Sequence, residues 1–336
     1  MTDLVTADAV RRAARTIAGH VQRTPTVASA GLSALLGRPV ALKLETLQDS
    51  GCFKPRGIVN KVLSLSEAER ARGLLTVSGG NHGIAMAMIA RRIGLAATIV
   101  MPAAAPERSK ARVRADGAEL IVAPDVAAAF AVADEQRSRG LTYIHAYDDP
   151  VIVAGHGTAG LEMAADAPGL TDVLVSIGGG ALAAGVATAL KAADPAIRVW
   201  GVETEGADAM TRALAAGAPV PIRPTSISST LGAPVVSALT LAHAKALLED
   251  VLVVSDAEAV AGTVALAEEA RCWVEPAAGC LVPAARRVIE RTGGTGTGGA
   301  GTGGAGTGGA GTLGLVLCGG NATLEQLAGW RERFGT

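Results

Sequence analysis

The residues best suited to chemistry in this chain surround one lysine. Lys54 lies in Gly51-Cys52-Phe53-Lys54-Pro55-Arg56-Gly57, beside an aromatic ring, ahead of a proline and between glycines. The chain has six lysines against twenty-four arginines, so lysine is not its default cation. Proline fixes its own φ and disfavours the helical region for the residue before it, which predicts a non-helical Lys54. Glycines permit tight turns and close approach of backbone to a ligand. An amine held in such a segment and partly removed from water loses proton affinity and becomes a nucleophile. The same residues also suit a plain loop lysine ahead of a helix.

Three further stretches put glycines between a strand-like run and a helix-like run. Val77-Ser78-Gly79-Gly80-Asn81-His82-Gly83 is the first, with Ser78 and Asn81 as side-chain donors. Ser176-Ile177-Gly178-Gly179-Gly180-Ala181-Leu182 is the second, and Leu317-Cys318-Gly319-Gly320-Asn321 the third. Such junctions aim free N–H groups and a helix N-terminus at an anion. For the first, the plainer alternative is a tight turn with Asn81 as a helix cap. The second has a rival reading of its own. Gly178-x-Gly180-x-x-Ala183, with Glu203 closing the next strand, matches a dinucleotide-binding fingerprint and a dinucleotide-dependent oxidoreductase. Three junctions and a constrained lysine exceed what that fold needs. They match pyridoxal phosphate, which takes a Schiff-base lysine, a phosphate cup and a partner for its ring nitrogen.

Regular alternation must position these groups. Strand-like runs fall at 74–78, 97–101, 118–122 and 142–146, with helical patterns at about 81–93, 106–115 and 125–139. Strand-like runs return at 173–177, 198–203, 251–255 and 313–318, after an early one at Val40–Glu45. Strand–helix alternation at this spacing predicts an α/β fold with parallel-rich sheets flanked by helices. We expect a large cofactor-binding domain, 1–72 with 150–336, and a small domain, 73–149. The ligand then belongs in the interdomain cleft. Residues 293–311 are almost entirely glycine, threonine and alanine, and predict a flexible loop.

Composition excludes several classes of partner. Net charge is −1 and aromatics make up 2% of the chain, so neither a basic surface nor stacking platforms point to nucleic acid. No apolar run reaches membrane-spanning length and the N-terminus lacks a secretory pattern, so a cytoplasmic protein without membrane partners is expected. Cys52, Cys272, Cys280 and Cys318 have no metal or redox spacing and read as reduced thiols. The expected partners are a small molecule and a second copy of the chain.

Taken together, the motifs resemble the serine/threonine dehydratase (ammonia-lyase) family, of the tryptophan-synthase-β fold type (fold type II of the pyridoxal-phosphate enzymes). The lysine stretch is similar to that family's S-F-K-x-R-G, 77–83 to its S-S-G-N-H-G, and 176–182 to its glycine-rich phosphate loop. Residues 143–162 and Val274–Gly279 also look like family segments, in the right order along nearly the whole chain. The resemblance implies a pyridoxal 5'-phosphate enzyme that converts L-threonine or L-serine to a 2-oxo acid and ammonia. It implies that Lys54 forms the Schiff base and moves the Cα proton, with Phe53 lining the ring and Asn81 bonding its phenolic oxygen. Ser78, Gly79, Asn81 and His82 would hold the substrate carboxylate. Backbone N–H groups of Gly178, Gly179, Gly180, Ala181 and Leu182 would hold the phosphate, and Cys318 would face the ring nitrogen. Family members are commonly dimers or tetramers, so a homo-oligomer is expected. The chain stops after its last strand and helix, so no C-terminal regulatory domain is expected.

Some positions depart from the family pattern. Gly79 stands where racemases of this fold keep a serine acid, which argues against racemisation, although racemase and β-replacement activities remain alternatives on the same fold. Ala181 replaces a glycine of the phosphate loop, tolerable if its φ is negative. Ser226–Gly232 replaces the family's T-I-A-D-G segment beside the substrate pocket. Glu203, Ala207 and Asp208 partly match a divalent-cation site of some members, but Ala209 removes one expected carboxylate. No metal is assigned.

Overall fold

The computed structural model describes residues 3–293 and 311–336. The glycine–threonine loop expected over 293–311 therefore lies, apart from its two end residues, outside the described residues. The strands in chain order are β1 (Thr26–Ala28), β2 (Val40–Leu44), β3 (Leu74–Val77), β4 (Ala97–Pro102), β5 (Glu119–Ala123), β6 (Thr142–Tyr143), β7 (Leu170–Ser176), β8 (Arg198–Thr204), β9 (Asp250–Val254) and β10 (Thr312–Leu317). They form a six-stranded sheet, ordered β1-β2-β10-β7-β8-β9, and a four-stranded sheet, ordered β5-β4-β3-β6. All pairings are parallel except β1 with β2. Helices cover both faces of such sheets, so central strands are apolar along their whole length. Val173, Leu174 and Val175 of β7 are fully buried, as are Leu315, Val316 and Leu317 of β10.

A helix not expected from the sequence, Pro150–Asp166, packs between the helices Pro55–Ser64 and Ala181–Ala193. Gly155, Gly157 and Gly160 lie in its middle. Here they let neighbouring backbones touch. A Cβ on Gly155 would lie 2.5 Å from the Arg56 carbonyl oxygen, and one on Gly157 2.7 Å from that of Gly185. Asp149 starts the helix by accepting from the Val151 N–H at 2.7 Å, with Pro150 in the first turn.

Strand β6 is shorter than the expected 142–146. The Nδ1 atom of His145 accepts from the N–H groups of Tyr147 and Asp148, at 3.2 and 2.7 Å, and turns the chain away. That turn frees the Ala146 carbonyl for the site. Among the described residues, no helix is long and apolar enough to cross a membrane.

Candidate active site

The Lys54 segment is tied to the end of β10. Gly51 takes a left-handed φ of 75°, and a Cβ there would lie 2.6 Å from Oδ1 of Asn321. The Phe53 N–H donates to the Cys318 carbonyl at 3.0 Å, and the Gly320 N–H to the Gly51 carbonyl at 2.9 Å. One expectation fails here. Lys54 is helical, with φ −54° and ψ −34°, at the N-cap of helix Pro55–Ser64. The carbonyls of Phe53 and Lys54 accept from the N–H groups of Arg56 and Ile58, at 3.1 and 3.2 Å. Those two bonds outweigh the steric preference that proline imposes.

The half-buried Lys54 side chain donates from Nζ to the Ala146 carbonyl at 3.0 Å and lies 4.9 Å from the Phe53 ring centre. Burial pushes the amine down to about 8. No carboxylate pairs with it among the described residues. Reductive methylation of the cofactor-free protein, followed against pH, is therefore expected to show Lys54 reacting with a midpoint near 8. A midpoint at the ordinary lysine value, about two units higher, would contradict the desolvation argument.

The opposite wall is the junction from β3 into helix Asn81–Ile93. Ser78 Oγ accepts from the Gly80 N–H at 3.3 Å. Asn81 is the first residue of the helix rather than its cap, and its Nδ2 donates to Glu275 Oε1 at 2.8 Å. His82 is buried, and neither of its ring nitrogens has a partner. Burial, then the nearby Lys54 and His145, hold it well below the usual imidazole range, so it is neutral.

At the second junction, Gly180 takes a φ of 93° and starts helix Ala181–Ala193. Ala181 lies within the helix, so its methyl fits. Leu182 is buried in the core, leaving only its backbone for a ligand. The loop is enclosed on two sides. A Cβ on Gly178 would lie 3.2 Å from Leu231 Cα, and one on Gly179 2.1 Å from Cγ of the Tyr147 ring. Tyr147 is held there by its hydroxyl, which donates to the Val235 carbonyl at 2.7 Å. Gly179→Ala is thus expected to weaken cofactor binding by about 1–3 kcal/mol, roughly 5- to 150-fold. Titration with the cofactor checks this, and Tyr147→Ala in the same chain should recover part of the loss.

At the third junction, Cys318 is buried and its Sγ lies 3.7 Å from the Ala277 carbonyl. Burial, then Glu275, raise its thiol well above the usual range, so it stays neutral. Glu203 is engaged by the start of the helix that follows it. Its carboxylate accepts from the Met210 N–H, the Thr211 N–H and the Thr211 hydroxyl, at 2.8, 2.9 and 2.7 Å. It anchors the start of helix Ala209–Ala216, and this removes the acid that the dinucleotide reading required. Among the described residues, no group of three or more His, Cys, Asp or Glu could hold a metal ion.

The structure thus brings Phe53, Lys54, Asn81 and Cys318 close together, and Ala146–Tyr147 links the amine to the Gly179 loop. Sequence reasoning missed Glu275, Thr230, Asn321, Arg112 and Tyr147. Thr230 Oγ1 donates to Glu275 Oε1 at 2.9 Å, and Asn321 Nδ2 donates to Asn81 Oδ1 at 2.7 Å. Arg112 Nη1 in turn donates to Asn321 Oδ1 at 2.7 Å. The asparagine ending Cys318-Gly319-Gly320-Asn321 was the one available signal, since it mirrors Asn81 after its own glycines. Surface hollows lined by Ala87, Arg91 and Asp116, and by Leu4, Arg12 and Asn60, hold none of these groups.

Several of these features suit pyridoxal phosphate. They are a dry amine without a carboxylate partner, a glycine cradle that side chains would fill, and an imidazole with two unsatisfied nitrogens. Residues 17–297 match the family model described as pyridoxal-phosphate dependent enzyme. The chain belongs to this family, and its cofactor is pyridoxal phosphate. The chain is 34% identical over 294 residues to an L-threonine ammonia-lyase of Thermotoga maritima, covering 86% of this chain and 73% of that one. The structure of a T.th. threonine deaminase superposes with a TM-score of 0.83 at 34% identity, covering 95% of this chain and 99% of that one. Maize serine racemase superposes with a TM-score of 0.86 at 28% identity, covering 99% and 98%.

Proposed function

We propose that this chain is an ammonia-lyase that converts L-threonine, L-serine or a related β-hydroxy amino acid to a 2-oxo acid and ammonia. The observation that carries the reading is the Lys54 amine, desolvated, bonded to a backbone carbonyl and bordered by the neutral Cys318. The relatives named for threonine ammonia-lyase and threonine deaminase support it.

When bound, the cofactor supplies an electron sink for charge developing at Cα. Lys54 tethers it, and once released moves the Cα proton as a base whose proton affinity burial has matched to neutral pH. Asn81 would orient the phenolic oxygen, and the N–H groups of Gly178, Gly179, Gly180, Ala181 and Leu182 would hold the phosphate. Phe53 lines the ring. Ser78, the backbone of Gly79, Asn81 and the neutral His82 hold the substrate carboxylate. A neutral Cys318 would face the ring nitrogen without enforcing its protonation, which would suit loss of a β-hydroxyl. Racemisation needs an acid on the opposite face, and Gly79 supplies none. A serine there would also be crowded, since a Cβ on Gly79 would lie 3.2 Å from Ala105 Cβ.

The cysteines are free, which supports a cytoplasmic setting. A homo-oligomer is part of the reading by family analogy alone. The test is a panel of β-hydroxy and β-substituted amino acids, scoring oxo acid and ammonia against racemised product. Release from L-threonine or L-serine is expected. Racemised product in excess, or no release from any β-hydroxy amino acid, would sink the reading.

A further inference from the structure

Glu275 is a carboxylate inside the cleft that the reaction as described does not use. It precedes the short helix Pro276–Gly279 and is 5% exposed. Oε1 accepts from Asn81 Nδ2 at 2.8 Å and from the Thr230 hydroxyl at 2.9 Å, while Oε2 accepts from the Asn321 N–H at 3.3 Å. These partners are donors and neutral. Neither lysine nor arginine pairs with it among the described residues, in contrast to the buried Glu45 and Asp172, which bond arginine directly. Burying a carboxylate without a cation is costly, which marks such a group as a functional candidate. Burial raises this carboxyl above its ordinary range, and the donors from Thr230, Asn321 and Asn81, aimed at both oxygens, act against that and suit the ionised form.

The backbone is shaped around this group. A Cβ on Gly319 would lie 3.0 Å from both Glu275 Oε1 and Asn81 Nδ2, so a side chain beside Cys318 would press on both groups. Asn321 fixes the polarity of the Asn81 amide. Its Nδ2 donates to the Ser50 carbonyl at 2.9 Å and to Asn81 Oδ1 at 2.7 Å, and its Oδ1 accepts from Arg112. Asn81 must therefore turn Nδ2 toward Glu275. One of the two Nδ2 hydrogens goes to the carboxylate, which leaves the other for a ligand oxygen. This argument rests on the reading in which Asn81 meets the cofactor's ring oxygen.

We propose that Glu275 is a positioning residue which, acting through Asn81, sets a negative charge behind the ring oxygen and so keeps the proton on the Lys54–cofactor linkage. A negative charge stabilises a protonated nitrogen, and removing it lowers the pH at which that proton leaves. The other titratable groups of the surrounding elements are Cys52, Cys318, Lys54 and His82, with Arg112 beyond Asn321. The two thiols are held neutral by burial and His82 is neutral, so Glu275 dominates the local change in charge.

The experiment is a pH titration of the visible absorbance of the cofactor-loaded protein, for the parent, Glu275→Gln and Glu275→Asp. Glutamine keeps the shape and an acceptor for Asn81 and Thr230, and its midpoint is expected about 1 to 2 pH units below the parent's, for a charge several Å away at the effective dielectric of protein sites. Aspartate keeps the charge, so its midpoint should stay near the parent's even where the shorter side chain lowers cofactor affinity. A glutamine variant titrating with the parent overturns the proposal, as does an aspartate variant shifted downward. The aspartate arm stands alone if the glutamine variant does not fold. A parent protein without a visible band would overturn the cofactor reading itself, a result distinct from a band that Glu275 does not move.

Discussion

Lys54→Ala is expected to abolish the visible cofactor band and to lower oxo-acid release by at least about 10³-fold, since tether and base are lost together. Stability should behave differently. The amine titrates near 8 in the folded chain, below its ordinary 10.5. A cation whose folded value is depressed opposes folding wherever it must be charged, fully below about 8 and fading as pH rises toward 10.5. At neutral pH the cofactor-free variant should therefore melt no lower than the parent. Thermal denaturation without cofactor checks this. A marked loss of stability would mean that Lys54 holds the fold rather than serving the site.

Arg56, two residues on, shows the reverse pattern. Its guanidinium is fully buried and forks onto two carboxylates. Nε and Nη2 donate to Glu45 at 2.7 and 2.8 Å, and Nη1 and Nη2 to Glu162, both at 2.7 Å. Lys43 Nζ completes a neutral set by donating to Glu162 Oε2 at 2.6 Å. This cluster pins the helix that begins with Lys54 to β2 and to helix Pro150–Asp166. Arg56→Met leaves two carboxylates with one lysine, and a buried charge stripped of its partner costs about 3–5 kcal/mol. The expected fall in melting temperature is roughly 4–7 °C. Adding Glu45→Gln should recover part of it, whereas Arg56→Lys should not, because an ammonium cannot fork. Burial alone would raise the Glu45 carboxyl, but Arg56 draws it below its ordinary 4.5. Its contribution is thus present above 4.5 and lost as pH falls through the lower folded value. A melting temperature unchanged in Arg56→Met would refute this role.

Where one residue's chemistry governs local structure, the sequence was informative. Helix Asn81–Ile93 falls where its glycine junction placed it. Helix Pro150–Asp166 was not legible, because its glycines are explained only by the backbones they meet, far away in the chain. Helical Lys54 was misjudged for a related reason. A local preference near a proline yields to two hydrogen bonds and to the strap from Cys318. The candidate site divides in the same way. Lys54, Asn81, His82 and Cys318 stand in motifs with their own turn chemistry. Glu275 and Thr230 stand in segments, 274–279 and 226–232, marked by resemblance without turn chemistry of their own, and Glu275 meets Asn81 only through folding, 194 positions away.

The tether itself can be mapped. The loaded protein would be reduced with borohydride and digested, and the pyridoxyl group located by mass spectrometry. The account predicts the adduct on Lys54, in the peptide that contains Cys52 and Phe53, and on none of the other five lysines. An adduct fixed on another lysine such as Lys110, or none at all, would contradict it.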